Sequence, residues 1–426
     1  MKTTANATCP FCGCLCDDLS VTIEDNRIIS VDNGCALANA KFLDDKRLQH
    51  PVIRENNRLR ESSYEEAIEI SADLLKNADR PLFFGWSGTQ VEAQCAGVNL
   101  CEVLGGVIDN TSSICHGPSI LAIQEVGHPG CTLGQVKNRA DLVIYWGCNP
   151  SESHPRHLSK YTTYASGFFV KNAHRERKLI VVDVRKTESA DLADEFVQIN
   201  PGGDYAVLSA LRAIVRGRSD FIPETVSGVP KAQLKRIVDI CKEAKFGAIF
   251  FGLGLTMSEN KYKNVRNAIE LTRELSRHTK FTITPMRGHW NVYGANEAFT
   301  WLTGYPYAVD FARGTAYYNP GETSAVDILA RRECDVMFVI GSDPGAHLPR
   351  KCLEYMSKIP VILVDPHVNC TSVFADVQIP VAIAGIETSG TAYRMDGVPL
   401  MTKKLIETDF PTDTEIINRI HEIVVG

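Results

Sequence analysis

One stretch of this chain occurs twice, and the repeat limits what the chain can fold into. Asp141-Leu142-Val143-Ile144-Tyr145-Trp146-Gly147 leads to Asn149-Pro150 and then His154-Pro155-Arg156. Much later, Asp335-Val336-Met337-Phe338-Val339-Ile340-Gly341 leads to Asp343-Pro344 and then His347-Leu348-Pro349-Arg350. Each copy reaches a second apolar run ending in Val-Asp, at Val182-Asp183 and at Val364-Asp365. A short third run follows, 193–199 in one copy and 375–379 in the other. Apolar runs alternating with helical patterns are the signature of parallel sheets with crossover helices. Two similar halves predict two α/β domains related by pseudo-symmetry.

The pattern predicts strands at 81–84, 141–146, 178–183, 246–251, 281–284, 335–340, 360–364 and 377–379. Helices are predicted at 64–77, 89–104, 205–216, 231–243 and 260–278. The repeated turn itself points to a ligand. A Gly after a parallel strand lets backbone N–H groups approach an anion, and the helix that follows adds a positive dipole. Asp183 and Asp365 end the second strands, where an acid receives a nucleotide hydroxyl or ring nitrogen. Each half is expected to hold one nucleotide-like group, with Gly147, Asn149 and Asp183 in one and Gly341, Asp343 and Asp365 in the other.

The N-terminus carries a different chemistry. Cys9, Cys12, Cys16 and Cys35 are spaced Cys-x2-Cys-x3-Cys-x18-Cys. Three thiolates close together and one remote is how a chain wraps a cubane 4Fe–4S cluster, one ligand per iron. A zinc site more often pairs two Cys-x2-4-Cys units or adds histidines, and no second pair follows here. Cys14 lies inside the tight group, so Cys9-x2-Cys12-x-Cys14 is a competing set. An iron–sulfur cluster would give the protein electrons to handle.

Composition narrows the class. The chain has 426 residues, 44% hydrophobic and 23% charged, with a formal net charge of −6. No basic stripe marks a nucleic-acid partner. The first residues hold neither an apolar signal core nor a twin arginine. The longest mostly apolar run, near 246–257, is too short to span a bilayer and carries three glycines. A cytoplasmic protein without a membrane partner is expected. In a reducing compartment its 14 cysteines fit metal ligands plus buried thiols.

Cys115-His116-Gly117-Pro118 follows Asp109-Asn110-Thr111-Ser112-Ser113, which reads as a polar loop. A cysteine beside a histidine is either a soft metal ligand with an acid/base neighbour or a buried thiol beside a solvent-facing ring. The four-cysteine opening, the duplicated halves and this tetrapeptide together resemble the molybdopterin oxidoreductases, the formate dehydrogenase branch in particular. Pro285-Met286-Arg287-Gly288-His289-Trp290-Asn291-Val292-Tyr293-Gly294-Ala295 is similar to that family's Pro-x-Arg-Gly-x-x-Asn-Val-x-Gly-Ala segment. Gly385-Ile386-Glu387-Thr388-Ser389-Gly390-Thr391 is similar to its Glu-x-x-Gly-Thr segment near the pterin.

The resemblance implies an architecture: a small iron–sulfur domain at 1–52 and two doubly wound α/β pterin-binding domains. One of these is discontinuous, 53–136 with 290–426, and the other is 137–289. The family's C-terminal β-barrel lid is expected to be missing, because the chain ends at Gly426 soon after the Glu-x-x-Gly-Thr segment. That length and the short Cys16–Cys35 interval look closest to the formylmethanofuran dehydrogenase branch, where a small subunit supplies the barrel.

The resemblance also implies roles. Cys9, Cys12, Cys16 and Cys35 would hold one 4Fe–4S cluster. Cys115 would ligate one tungsten or molybdenum ion alongside two molybdopterin guanine dinucleotides. His116 would be the acid/base group, and Arg287 would clamp formate by its planar fork. Lys41 would bridge cluster and pterin; Asn291, Glu387, Gly390 and Thr391 would lie at the cofactor. The implied reaction is reversible reduction of CO2 to formate. Formate would pass to a partner amidohydrolase subunit making formylmethanofuran, with electrons from a polyferredoxin or similar donor. The alternatives are a metal-free scaffold subunit of a formyltransferase/hydrolase complex and a cluster-only electron-transfer subunit.

Overall fold

The structure is a computed structural model and describes residues 2–56 and 58–426. The chain divides into two compact units. One comprises Met1–Ile114, His289–Arg394 and Pro399–Gly426, and the other Cys115–Gly288 and Met395–Val398.

The contiguous unit is built on five parallel strands in the order Glu195–Gln198, Lys178–Asp183, Leu142–Trp146, Phe246–Phe251 and Lys280–Pro285. The strand Leu142–Trp146 is buried at every residue, as a strand covered on both faces must be. Helices Gly117–Val126, Asp204–Val215, Lys231–Glu243 and Tyr262–Leu275 supply the cover. Their apolar faces and the strands share a core around Trp146, Ile180, Leu208, Ile249 and Ile283.

The other unit has the same five-strand arrangement at its centre: Val377–Ile379, Val361–Val364, Val336–Ile340, Pro81–Gly85 and Val107–Asn110, all parallel. Antiparallel pairs extend it at both edges, Val52–Glu55 with Arg58–Glu61 and Val309–Asp310 with Tyr317–Tyr318. One face packs around Trp86, Phe83, Phe299 and Phe338, and the opposite face around Phe84, Met337 and Met356. A three-stranded antiparallel sheet, Lys2–Ala7, Leu19–Glu24 and Arg27–Asp32, precedes the helix Ala36–Phe42.

The two central sheets therefore match in order but not in sequence connection. In the contiguous unit the strands run along the chain as third, second, first, fourth and fifth. In the other, the strands in the fourth and fifth places, Pro81–Gly85 and Val107–Asn110, come first in the chain.

Two expectations change. Residues 115–136 belong with the contiguous unit rather than with 53–114, because Gly117–Val126 packs on Tyr262–Leu275. The expected polar loop at 109–113 is a buried strand end and 3-10 turn. The Asp109 carboxylate accepts from the N–H groups of Asn110, Ala308 and Ala325, which takes its polarity out of solvent.

Candidate active site

The N-terminal cysteines lie on a closed loop. The Cys9 N–H donates to the Cys16 carbonyl at 2.9 Å and the Leu15 N–H to the Cys12 carbonyl at 3.0 Å. Cys35 caps its helix, its Sγ accepting from the Ala38 N–H at 3.4 Å. Burial raises the Cys9 pKa, and the neighbouring charges of Cys12, Cys16 and Cys35 raise it further, so these four thiols converge. Cys14 is buried and hydrogen-bonds to Cys12, which lowers the Cys12 pKa and raises that of Cys14. Among the described residues, no group of three or more His, Cys, Asp or Glu could hold a metal ion. A cubane instead distributes its ligands over four irons.

Cys115, His116 and Arg287 come together in the contiguous unit. The Cys115 carbonyl accepts from Thr256 Oγ1 at 3.0 Å, and Pro118 opens the helix that follows. Cys115 is half-buried; burial pushes its thiol up to about 12, while the Arg287 charge pulls it down. Arg287 is 5% exposed. His116 is buried, with Nε2 3.2 Å from the Met286 carbonyl and Nδ1 2.9 Å from Ser119 Oγ. A carbonyl can only accept, so Nε2 carries the proton and Nδ1 accepts from the serine. Burial, and then the Arg287 charge, depress its pKa to about 3. Both ring nitrogens are thus engaged. In this arrangement His116 links the Cys115 turn to the Met286-Arg287 turn.

The repeated turns form two matching cradles, each where its sheet reverses strand order. Gly147 and Gly341 both take left-handed φ values, 56° and 52°. A Cβ on Gly147 would lie 2.8 Å from the Leu255 N, and one on Gly341 2.9 Å from the Gly88 carbonyl carbon. Their N–H groups are not open to an anion as the turn motif suggested: they donate to the carbonyls of Val182 and Val364. Glycine is needed here for close approach of two loops.

Asn149 and Asp343 are likewise committed. Asn149 Oδ1 accepts from Ser189 N at 3.3 Å and Oγ at 2.7 Å. Asp343 Oδ1 accepts from Thr371 N at 2.8 Å and Oγ1 at 2.7 Å. Asp183 accepts from the N–H groups of Val184 and Arg185.

Asp365 differs from these. It lines two adjoining cavities of about 240 and 870 Å3, which also share Phe11, Lys41 and His367. The smaller is bordered by Gly88, Gly341 and Asp413. Burial lifts the Asp365 carboxyl to about 7, with the Asp413 and Asp343 charges adding to the rise, and burial lifts Asp413 to about 6. The Lys41 ammonium sits 5.4 Å above the Phe11 ring, inside the cysteine loop.

Four motif residues make contacts within the protein. The Asn291 side chain ties Thr89, Thr391 and Tyr393 backbone groups together. Glu387 pairs with Arg47 at 2.6 Å. Thr391 donates through N and Oγ1 to Glu92, and a Cβ on Gly390 would meet Gln90 at 2.5 Å.

The family model of the molybdopterin oxidoreductases matches residues 47–422. The chain belongs to the molybdopterin oxidoreductases. Its relatives within that family include a subunit of the tungsten-containing formylmethanofuran dehydrogenase 2 of Methanocaldococcus jannaschii, 50% identical over 96% of this chain and 94% of the relative. The like-named protein of Methanococcus maripaludis is 46% identical over 99% of this chain and 98% of the relative. Among solved structures, a chain of the formyltransferase/hydrolase complex from Methylorubrum extorquens, in complex with methylofuran, superposes with a TM-score of 0.72. It is 20% identical and covers 88% of this chain and 98% of that one. This likeness bears on the fold.

A molybdopterin oxidoreductase needs room for a pterin and a seat for a metal, and the residues present fit both. Ser342 Oγ, between Gly341 and Asp343, is buried with no hydrogen-bond partner among the described residues. The glycine cradles keep the adjoining backbone bare of Cβ atoms. Cys115 offers a soft sulfur that a metal ion would deprotonate despite its raised pKa.

Sequence reasoning missed Ser119, His154, Ser342 and Asp413. His154 was visible as part of the repeat, paired with His347. Nothing in the sequence distinguished Asp413 from an ordinary first-turn acid.

No helix among the described residues is long and apolar enough to cross a membrane.

Proposed function

We propose that the chain is the redox subunit of a formylmethanofuran dehydrogenase, interconverting CO2 and formate at a tungsten or molybdenum site. The observation that carries this reading is the grouping of half-buried Cys115 with buried Arg287, in a chain half identical to a tungsten-containing relative. Formate oxidation releases CO2, a proton and two electrons, and a metal bis-pterin group supplies that two-electron chemistry when bound.

The chain's own residues do the rest. Cys115 would hold the metal through its thiolate, giving up its proton on loading. Arg287 would grip the formate carboxylate through paired N–H donors and stabilise the negative charge that grows on CO2 in the reverse direction. His116, neutral and doubly bonded, would keep those two turns in register. Cys9, Cys12, Cys16 and Cys35 would hold one 4Fe–4S cluster, with Cys14 buried beside them. Lys41, beside the cysteine loop and in the wall of the cavities, would lie between cluster and pterin. Gly341, Asp365 and Gly147 would border two molybdopterin guanine dinucleotides. A small barrel subunit, an amidohydrolase subunit and a polyferredoxin-like donor are the partners this reading requires.

Elemental analysis of the anaerobically purified native complex tests the reading. About four irons assignable to this chain and one tungsten or molybdenum are expected. Iron without the heavy metal would favour the electron-transfer subunit, and neither metal the scaffold. Cys115→Ala should abolish formate oxidation with iron content near normal; retained activity would remove Cys115 from the metal. Cys9→Ala should lose the cluster.

A further inference from the structure

We propose that His154 is a positioning residue for Arg287, holding the guanidinium-bearing turn to the Gly147 cradle through a hydrogen bond to the Arg287 carbonyl. The inference rests on the reading of Arg287 as the formate clamp.

Arg287 sits on a short turn just beyond the strand Lys280–Pro285. The Met286 N–H donates to the Phe251 carbonyl at 2.8 Å and the Arg287 N–H to the Pro285 carbonyl at 3.1 Å. The two carbonyls of this turn are each taken by an imidazole. His116 Nε2 lies 3.2 Å from Met286 O, and His154 Nε2 lies 2.9 Å from Arg287 O. The second bond is the shorter, and it attaches to the residue whose side chain has to be aimed.

His154 is built for that single task. It is 1% exposed. Its Nε2 must carry the proton, because its partner is a carbonyl. Its Nδ1 lies 2.8 Å from Ser153 Oγ, whose hydroxyl also lies 3.1 Å from the Asn149 carbonyl. Its own N–H donates to the Pro150 carbonyl at 3.0 Å. The ring is therefore fixed to the turn Pro150–Ser153, and that turn is pinned by Asn149 and Ser189. The Ser151 N–H donates to Ser189 Oγ at 3.1 Å, and that hydroxyl bonds Asn149 Oδ1. A continuous series of short contacts runs from the cradle through His154 to the Arg287 main chain.

The consequence concerns orientation. A bidentate grip on a carboxylate requires the guanidinium plane to face it, and a misplacement near 1 Å is enough to cost on the order of a hundredfold. Removing His154 takes away one of the bonds that hold this turn and costs the buried Arg287 carbonyl that donor. The turn is then held less firmly than when His154 joins His116 and the turn's own N–H groups. Formate binding then suffers while the metal ligands are untouched.

The test uses the native complex carrying His154→Leu, which keeps bulk but cannot donate, and His154→Gln, whose amide N–H reaches the Nε2 position. In His154→Leu, KM for formate and Ki for a planar or linear formate-like anion such as nitrate or azide should rise together by roughly tenfold or more. Iron and tungsten content and the cluster's EPR signal should stay at wild-type values, while the melting temperature falls by the few degrees that loss of one buried hydrogen bond costs. His154→Gln should recover most of the affinity. Wild-type KM and Ki in a fully metallated His154→Leu overturns the inference, as does a His154→Gln as impaired as the leucine variant. Arg287→Lys, measured alongside, separates the two readings: if it leaves formate KM and kcat unchanged, the clamp itself fails, whatever His154 does.

Discussion

The two cradles at Gly147 and Gly341 share a backbone plan and differ in charge. In each, a left-handed glycine ends the first strand, an Asx side chain two residues on accepts from a backbone N–H and a hydroxyl, and a second loop closes against the glycine. One cradle uses the neutral Asn149, the other the charged Asp343. The Gly341 side also gathers Asp365 and Asp413, both raised in pKa by burial. Burial therefore favours the protonated form of both carboxyls on that side.

Four experiments break or sharpen this comparison. The largest effect should come from Asp365→Asn in the cofactor-free chain. The Asp365 carboxyl titrates near 7 when folded and near 3.8 when free, so the folded chain binds its proton more tightly. Its contribution to stability is complete below about pH 4 and is lost as pH rises through about 7, worth as much as about 4 kcal/mol. Urea midpoints of the wild type should fall over that window, and those of Asp365→Asn should fall much less. Parallel curves would mean that Asp365 is not the group holding the proton.

Gly147→Ala and Gly341→Ala should each cost about 2–3 kcal/mol, since both add a Cβ against backbone at a left-handed φ. Similar losses in denaturant titrations support equivalence, and tolerance of one alone would break it. Asn149→Ala and Asp343→Ala come next. Asp343 also accepts from the Cys370 N–H, so its loss strips more donors. About 1–3 kcal/mol is expected, with Asp343→Ala the worse of the pair. The reverse order would show that charge at Asp343 is a burden rather than a support. The smallest effect should come from His347→Leu. His347 is exposed where its repeat partner His154 is buried. Formate KM should not move, and a rise matching that of His154→Leu would erase the asymmetry between the copies.

Much of the scaffold was legible in the sequence because parallel strands are short, apolar and repeated. The strands at 178–183 and 246–251 and the helix at 231–243 fall where periodicity put them. The antiparallel opening sheet was not anticipated, since its strands mix exposed polar residues with a few buried ones. The helix Val292–Thr303 lay hidden inside a motif read for chemistry. Motif reading placed Asn291, Glu387 and Thr391 near a ligand but did not foresee that their side chains also bond to protein. A motif preserves residue type, and a buried carboxamide or carboxylate serves a backbone as well as it serves a cofactor. His116 illustrates the same limit: its neighbour in sequence suggested acid/base work, but only coordinates reveal that both nitrogens are occupied. His154 escaped because its partner is a carbonyl, and carbonyls leave no mark in a sequence.

The shifted strand order has a consequence for how the molecule is made. The sheet of 142–285 draws all its strands from one stretch of chain, so it can close as soon as that stretch is synthesised. The other sheet pairs Pro81 with Val336, a connection that must wait until the later strand is made. Domains generally fold as units during synthesis, and long-range pairing is slow because loop closure precedes its reward. The cluster-type cysteines thus belong to the unit completed last. Until then the apolar strand Pro81–Gly85 has no neighbour at 336–340, so that edge of the nascent sheet stays open until the later strand is made.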